Sequence, residues 1–212
     1  MSLETARLYF VAGARIQAGA VVDLVPELAG AGVDVVQLRE KEMEAGPMLR
    51  AAQGLAHACR AVGVPFFVND RPDVARIAGA AGVHLGQDDL PAPAARTIAP
   101  GALVGWSTHS VAQIDDVLGW DEPPDYIAVG PVFETPTKPG RPATGVELVR
   151  YAAETVPAGL PWFAIGGIDA GNLPEVVDAG ARRVVVVRAI AEATDPAGAA
   201  ARLSAVLDEA PL

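Results

Sequence analysis

The chain has 212 residues, 51% of them hydrophobic and 20% charged, which suits a soluble globular protein with one sizeable core. Sixteen basic against twenty-six acidic residues give a net charge of -10 with no Lys/Arg block, which argues against nucleic acid or an anionic membrane as partner. Glu4, Arg7, Arg15 and Asp23 interrupt the N-terminus, no apolar run approaches the ~20 residues of a spanning helix, and there is no charged, apolar, small-residue leader, so a cytoplasmic protein is expected.

In chain order, short β-branched runs recur, each followed by a polar or Gly-rich stop and then an Ala/Leu-rich amphipathic stretch: RLYFVAG, VDVVQLR, PFFVND, VHLG, LVGWS, DYIAVG, WFAIGG and RVVVVR. Eight strands alternating with helices predict a closed (β/α)8 TIM barrel, an α/β fold, as a single domain over residues 1–212. The alternative is an open doubly wound sheet. The first run lacks a following G-x-G-x-x-G, and polar residues close nearly every run, both of which favour the barrel. In a barrel all strand C-termini open into one mouth, so polar residues far apart in sequence can converge on one ligand. The single cysteine, Cys59, lies in an apolar helical pattern and reads as a small core residue.

The second run ends in QLREK. Gln37 and Arg39 share one side of a strand and Lys41 sits where the loop starts, so an amide and two cations could meet one anion; a solvated charged turn is the plainer reading. The third run ends on Asn69, Asp70 and Arg71, and the fourth continues into HLGQDD. Carboxylates from neighbouring strand ends could share Mg2+, which is usually held by one or two carboxylates, waters and substrate phosphates. Alternatively, Asp88 or Asp89 caps a helix beginning near Leu90 and Pro91, and Asp70 pairs with Arg71.

GWSTHS brings out Ser107, a candidate for hydrogen-bonding a substrate ring, and His109, an acid or base or simply an exposed loop histidine; Ser110 reads as a helix cap. With no carboxylate partner identifiable, Ser and His here make a poor nucleophilic motif. PVFETPTKPGRPATG is longer than the ~2–6 residues of an idle connection, and its hydroxyls and Lys138 suit phosphate; it is either a closing loop or a variable surface loop. The paired glycines of AIGGI let backbone N–H groups approach a phosphate, and Arg188 ends the eighth run, either beside that phosphate or in a rim salt bridge. Trp106, Trp120 and Trp162 form no stripe with basic residues, so a stacking surface for single-stranded nucleic acid has little support.

Taken together and in order, QLREK, NDR, HLGQDD, G-x-S-x-H, GPVF-x-T-x-T-K, AIGGI and V-x-AI closely resemble the thiamine phosphate synthase family, from about residue 7 to residue 190. The resemblance implies a (β/α)8 barrel transferase. Its reaction joins 4-amino-5-hydroxymethyl-2-methylpyrimidine diphosphate to a thiazole phosphate, with pyrophosphate release and formation of thiamine phosphate. By position it implies that Gln37, Leu38, Arg39, Glu40, Lys41, Asn69, Ser107 and Lys138 meet the pyrimidine diphosphate, and that Asp70 and Asp89 hold Mg2+. Thr135, Pro136, Thr137, Gly167, Val187 and Arg188 fall to the thiazole phosphate, with Arg188 standing where many relatives have Ser. The resemblance implies Arg39, Lys41, Asn69, Ser107 and Lys138 as the catalytic set. The partners implied are these small molecules, with a homo-oligomer left open. Two rivals share the barrel: a thiazole tautomerase that would use His109, and a non-catalytic phosphate sensor. Neither accounts for retention of Lys41, Asp70 and Asp89.

Overall fold

Strict alternation of side chains along eight apolar runs requires two faces to be buried at once, and a closed sheet wrapped by helices satisfies it. In the computed structural model, which describes residues 3–13, 18–135 and 142–210, eight parallel strands close into a barrel in sequence order. The strands are β1 (Leu8–Gly13), β2 (Val35–Arg39), β3 (Phe66–Asn69), β4 (Gly82–Leu85), β5 (Leu103–Thr108), β6 (Tyr126–Val129), β7 (Trp162–Ile165) and β8 (Val184–Val186). Around them run α1 (Ala18–Gly30), α2 (Ala45–Ala61), α3 (Pro72–Ala78), α4 (Ala92–Ile98), α5 (Val111–Leu118), α6 (Gly145–Thr155), α7 (Leu173–Asp178), α8 (Arg188–Ala191) and α9 (Pro196–Asp208). All eight runs expected as strands are strands, and β1 pairs with β8 through Leu8 opposite Val184 to complete the closure. Among the described residues no helix is long and apolar enough to cross a membrane.

Side-chain phase divides the core in two. Leu8, Phe10, Val36, Leu38, Phe66, Val68, Val83, Leu85, Val104 and Trp106 point outward and pack with the helices. Tyr9, Val11, Val35, Phe67, Tyr126, Phe163 and Val185 point inward and fill the barrel, with Leu3 and Ala6 from ahead of β1 in the same cluster. Cys59 is buried within the outer layer, where burial pushes its thiol up to about 12 and keeps it an inert core residue.

Helix ends decide how each strand hands over to its helix. Ser110 caps α5 by accepting from the Gln113 N–H at 3.3 Å, as expected. The carboxylates at 88 and 89 cap no helix: α4 begins later, at Ala92, behind Pro91. Arg71 pairs with Asp73 at 2.6 Å and not with Asp70. Both alternatives to a ligand-facing role for Asp70 and Asp89 are therefore absent.

Candidate active site

A cavity of about 270 Å3 opens at the C-terminal ends of the strands. Its floor is the inward set of side chains, and its walls include Gln37, Arg39, Asn69, Ser107, His109, Thr135, Gly167, Val187 and Arg188. The inward phase selects these residues: in the pairing of β3 with β4, Asn69 stands beside His84, and in that of β5 with β6, Ser107 stands beside Ala128. Gln37, Asn69, His84 and Ser107 are only 3%, 7%, 8% and 5% exposed, and buried polar groups of this kind must be hydrogen-bonded or ligand-directed.

Much of that requirement is met by a relay across the floor. Gln37 Nε2 donates to the Tyr9 hydroxyl at 2.9 Å, Tyr9 and Tyr126 share a hydrogen bond of 2.9 Å, Tyr126 meets His84 Nδ1 at 2.9 Å, and His84 Nε2 meets Ser107 Oγ at 2.9 Å. Burial raises both tyrosine hydroxyls above their ordinary range, so they remain protonated. Gly105 makes the relay sterically feasible. A Cβ there would lie 2.1 Å from Tyr126 Cζ and 2.4 Å from its hydroxyl oxygen.

The charged rim lies at the ends of β2, β3 and β4. Asp70 has φ 62°, a left-handed conformation that Asp tolerates, and its N–H donates to the His84 carbonyl at 2.9 Å. Its carboxylate meets Lys41 Nζ at 3.3 Å. Burial, hydrogen bonding to Asp89 and the Asp89 charge together hold the Asp70 carboxyl above the usual carboxylate range, with Lys41 opposing them. Asp89 Oδ2 also accepts from the Gly86 N–H at 2.7 Å, which fixes the turn after β4. Burial lowers the Arg39 guanidinium, while Asp70, Asp89 and Glu40 pull it upward. Burial also raises the Glu40 carboxyl against the pull of Arg39.

Two adjacent carboxylates, one of them paired with Lys41, form a hard-oxygen donor set that fits a divalent cation completed by water and phosphate. Among the described residues no group of three or more His, Cys, Asp or Glu is placed to hold a metal by itself.

The opposite wall is built for close approach. Gly167 has φ 66°, and a Cβ there would lie 2.8 Å from Phe133 Cβ and 2.9 Å from the Glu134 carbonyl. Asn172 Nδ2 holds the Gly167 carbonyl at 2.9 Å, so the glycine turn is fixed from behind. Val187 and Arg188 lie at the junction of β8 and α8, with Arg188 and Glu192 on the same side of the cavity. His109 is held by its ring Nδ1 to the Gly130 carbonyl and by its N–H to Gln113 Oε1.

Of the residues expected at the site, Gln37, Arg39, Asn69, Ser107, Thr135, Gly167, Val187 and Arg188 line the cavity. Glu40, Lys41, Asp70 and Asp89 are not among the lining residues; they gather at the neighbouring strand ends, where Lys41 pairs with Asp70, Asp70 is hydrogen-bonded to Asp89, and both carboxylates act on Arg39. The Leu38 side chain belongs to the outer layer, so only its backbone could face a ligand. Pro136, Thr137 and Lys138 lie outside the described residues. Sequence reading passed over Tyr9, His84 and Tyr126. Their signal was present, because each occupies the inward phase of its strand and His84 is a polar residue between the outward-facing Val83 and Leu85.

Comparison with known proteins places this barrel. The family model for thiamine monophosphate synthase matches residues 8–190. The chain is 53% identical over 207 residues to a thiamine-phosphate synthase of Acidothermus cellulolyticus, covering 97% of each chain. It is also 53% identical to a thiamine-phosphate synthase of Thermus thermophilus, covering 87% of each. A solved thiamine phosphate pyrophosphorylase of Pyrococcus furiosus superposes with a TM-score of 0.87 at 31% identity, covering 98% of each chain. With a match that runs from β1 into α8 and takes in all of the cavity lining except Glu192, the chain belongs to the thiamine monophosphate synthase family of transferases.

Proposed function

We propose that this barrel condenses 4-amino-5-hydroxymethyl-2-methylpyrimidine diphosphate with 4-methyl-5-(2-phosphoethyl)thiazole, or its carboxylated form, to give thiamine phosphate and pyrophosphate. The observation that carries this reading is the placement of cationic side chains at two separate ends of the mouth. Arg39 and Lys41 stand with the Asp70–Asp89 pair at one end, and the Gly167 turn with Arg188 stands at the other. Thiazole isomerisation alone would leave the first end without a purpose.

Asp70 and Asp89 would hold Mg2+, which when bound offsets the charge developing on the departing diphosphate. Arg39 and Lys41 bind the same diphosphate and stabilise it as it leaves. Gln37, Asn69 and Ser107 orient the pyrimidine, whose amino group supports the cation left at the exocyclic carbon, so no protein nucleophile is required. Gly167 and Arg188 hold the thiazole phosphate so that the ring nitrogen faces that carbon, and the closely packed floor, whose polar groups are already hydrogen-bonded to one another, keeps water from competing. Lys138, which lies outside the described residues, is assigned to the same diphosphate by the family resemblance. The reading carries with it small-molecule partners and the cytoplasmic setting expected from the sequence.

The test is to incubate purified protein with both substrates, with Mg2+ and again with excess chelator, and to follow both products. Stoichiometric, Mg2+-dependent formation of thiamine phosphate and pyrophosphate is expected. Isomerisation of the carboxylated thiazole precursor without condensation would overturn the reading in favour of the tautomerase.

A further inference from the structure

The floor relay has a direction, set by counting protons. Gln37 Nε2 donates to the Tyr9 oxygen, so the Tyr9 hydroxyl proton is free to donate onward, and its other partner is Tyr126. Tyr126 accepts that proton and therefore donates its own to His84 Nδ1. A ring nitrogen that accepts cannot carry hydrogen, so the His84 proton resides on Nε2 and is donated to Ser107 Oγ. With Gln37 Nε2 as the donor at the start, this is the arrangement in which both tyrosine hydroxyl protons are used, and leaving one unmade at this depth is costly. Two groups at the ends of the relay are thereby fixed. Gln37, with Nε2 anchored on Tyr9, has Oε1 as its acceptor beside one remaining N–H, and Ser107, accepting from His84, keeps its hydroxyl proton to donate into the cavity both residues line.

We propose that Tyr9, Tyr126 and His84 are positioning residues that set the hydrogen-bonding polarity of the cavity, presenting Gln37 as acceptor and Ser107 as donor and so selecting an amino-substituted over an oxo-substituted pyrimidine. The inference rests on the functional reading above and specifies how the pyrimidine end of that site discriminates. A 4-aminopyrimidine offers an amino donor to Gln37 Oε1 and a ring-nitrogen acceptor to Ser107. The 4-oxo ring offers a carbonyl where the amino group stood, and it meets the Gln37 carbonyl oxygen acceptor to acceptor. Accommodating it requires turning the Gln37 amide and reversing every proton in the relay together. Ring packing, with Tyr126 edge-on against Phe67 and Phe163, fixes where the hydroxyl oxygens stand and not which way their protons point.

The test measures binding, which separates recognition from the chemical effect of the amino group. Dissociation constants of the 4-amino and 4-oxo 5-hydroxymethyl-2-methylpyrimidine monophosphates are determined by calorimetry for wild type, Tyr9→Phe and Tyr126→Phe. The wild type is expected to prefer the amino compound by roughly a hundredfold or more, as a site built around a polar group does. Each Phe variant keeps its ring and is expected to lose at least about fivefold of that preference; a smaller loss in both overturns the proposal. Phe163→Leu perturbs the same packing without touching a hydroxyl, and it should lower stability while preserving the preference.

Nitrogen-15 spectra of histidine-labelled wild type, assigned with His57→Gln and His109→Gln, report the tautomer directly and need no relay variant to fold. Neutral His84 with hydrogen on Nε2 at pH 7 is expected, and hydrogen on Nδ1 overturns the relay. Absence of thiamine phosphate formation by wild type overturns the functional reading and the selectivity that rests on it. Turnover with an unchanged preference overturns the relay alone.

Discussion

Replacing Gly105 with alanine tests whether the barrel floor depends on one absent side chain. The added Cβ would lie 2.1 Å from Tyr126 Cζ, 2.3 Å from Cε1 and 2.4 Å from the hydroxyl oxygen, where ordinary contact begins near 3.4 Å. Tyr126 is fully buried among Tyr9, Phe67, His84 and Phe163, so the ring has to shift by roughly an ångström into rigid neighbours. Overpacking of this kind costs about 1–3 kcal/mol. The shift also pulls the hydroxyl from Tyr9 and His84, and each buried hydrogen bond left unmade costs about 1–3 kcal/mol. A total of at least about 3 kcal/mol lowers Tm by about 6–12 °C in a chain of this size. Thermal melts followed by circular dichroism measure it. Gly30→Ala serves as control, because a Cβ at that helical position meets nothing within 4 Å, and its Tm should hold or rise slightly. Gly105→Ala melting within about 2 °C of wild type would show that the floor yields easily and would refute the packing argument.

Four further outcomes follow from the charged mouth. Because the folded Asp70 carboxyl is raised, its protonated form is favoured by folding, and the associated stability is lost as pH rises through that raised value. Asp70→Asn tolerates the same left-handed backbone and should melt above wild type at pH 7, with the difference gone below about pH 3.9; a less stable Asn variant at pH 7 contradicts this. The same variant should lose Mg2+-dependent turnover by about a hundredfold or more, and full activity would remove the metal role assigned to Asp70. Arg188→Ala should raise KM for the thiazole phosphate by roughly tenfold or more while leaving KM for the pyrimidine diphosphate within about twofold, and equal effects on both would place Arg188 elsewhere. Excess chelator should stop product formation and added Mg2+ restore it, whereas an undiminished rate would separate the carboxylate pair from catalysis.

Much of the molecule follows from the sequence alone, for a local reason. Strand runs such as VDVVQLR and LVGWS carry their period of two in adjacent residues, and a strand's inward and outward faces are fixed by that period before any partner is known. Polar residues at strand ends, Gln37, Arg39, Asn69 and Ser107, were therefore legible as a converging set once eight runs implied a barrel. What the sequence left open was which neighbours each charge would choose. Asp70 had Arg71 beside it in the chain, yet Arg71 turns to Asp73 and Asp70 turns to Lys41, because the left-handed backbone at Asp70 and the start of α3 at Pro72 aim the two side chains differently. The relay was hidden for the same reason. Its members come from β1, β2, β4, β5 and β6, and only closure of the barrel, with Gly105 leaving space for the Tyr126 ring, brings five distant hydrogen-bonding groups within 2.9 Å of one another in sequence along the floor. Periodicity determines which way a side chain faces; tertiary closure determines what it meets there.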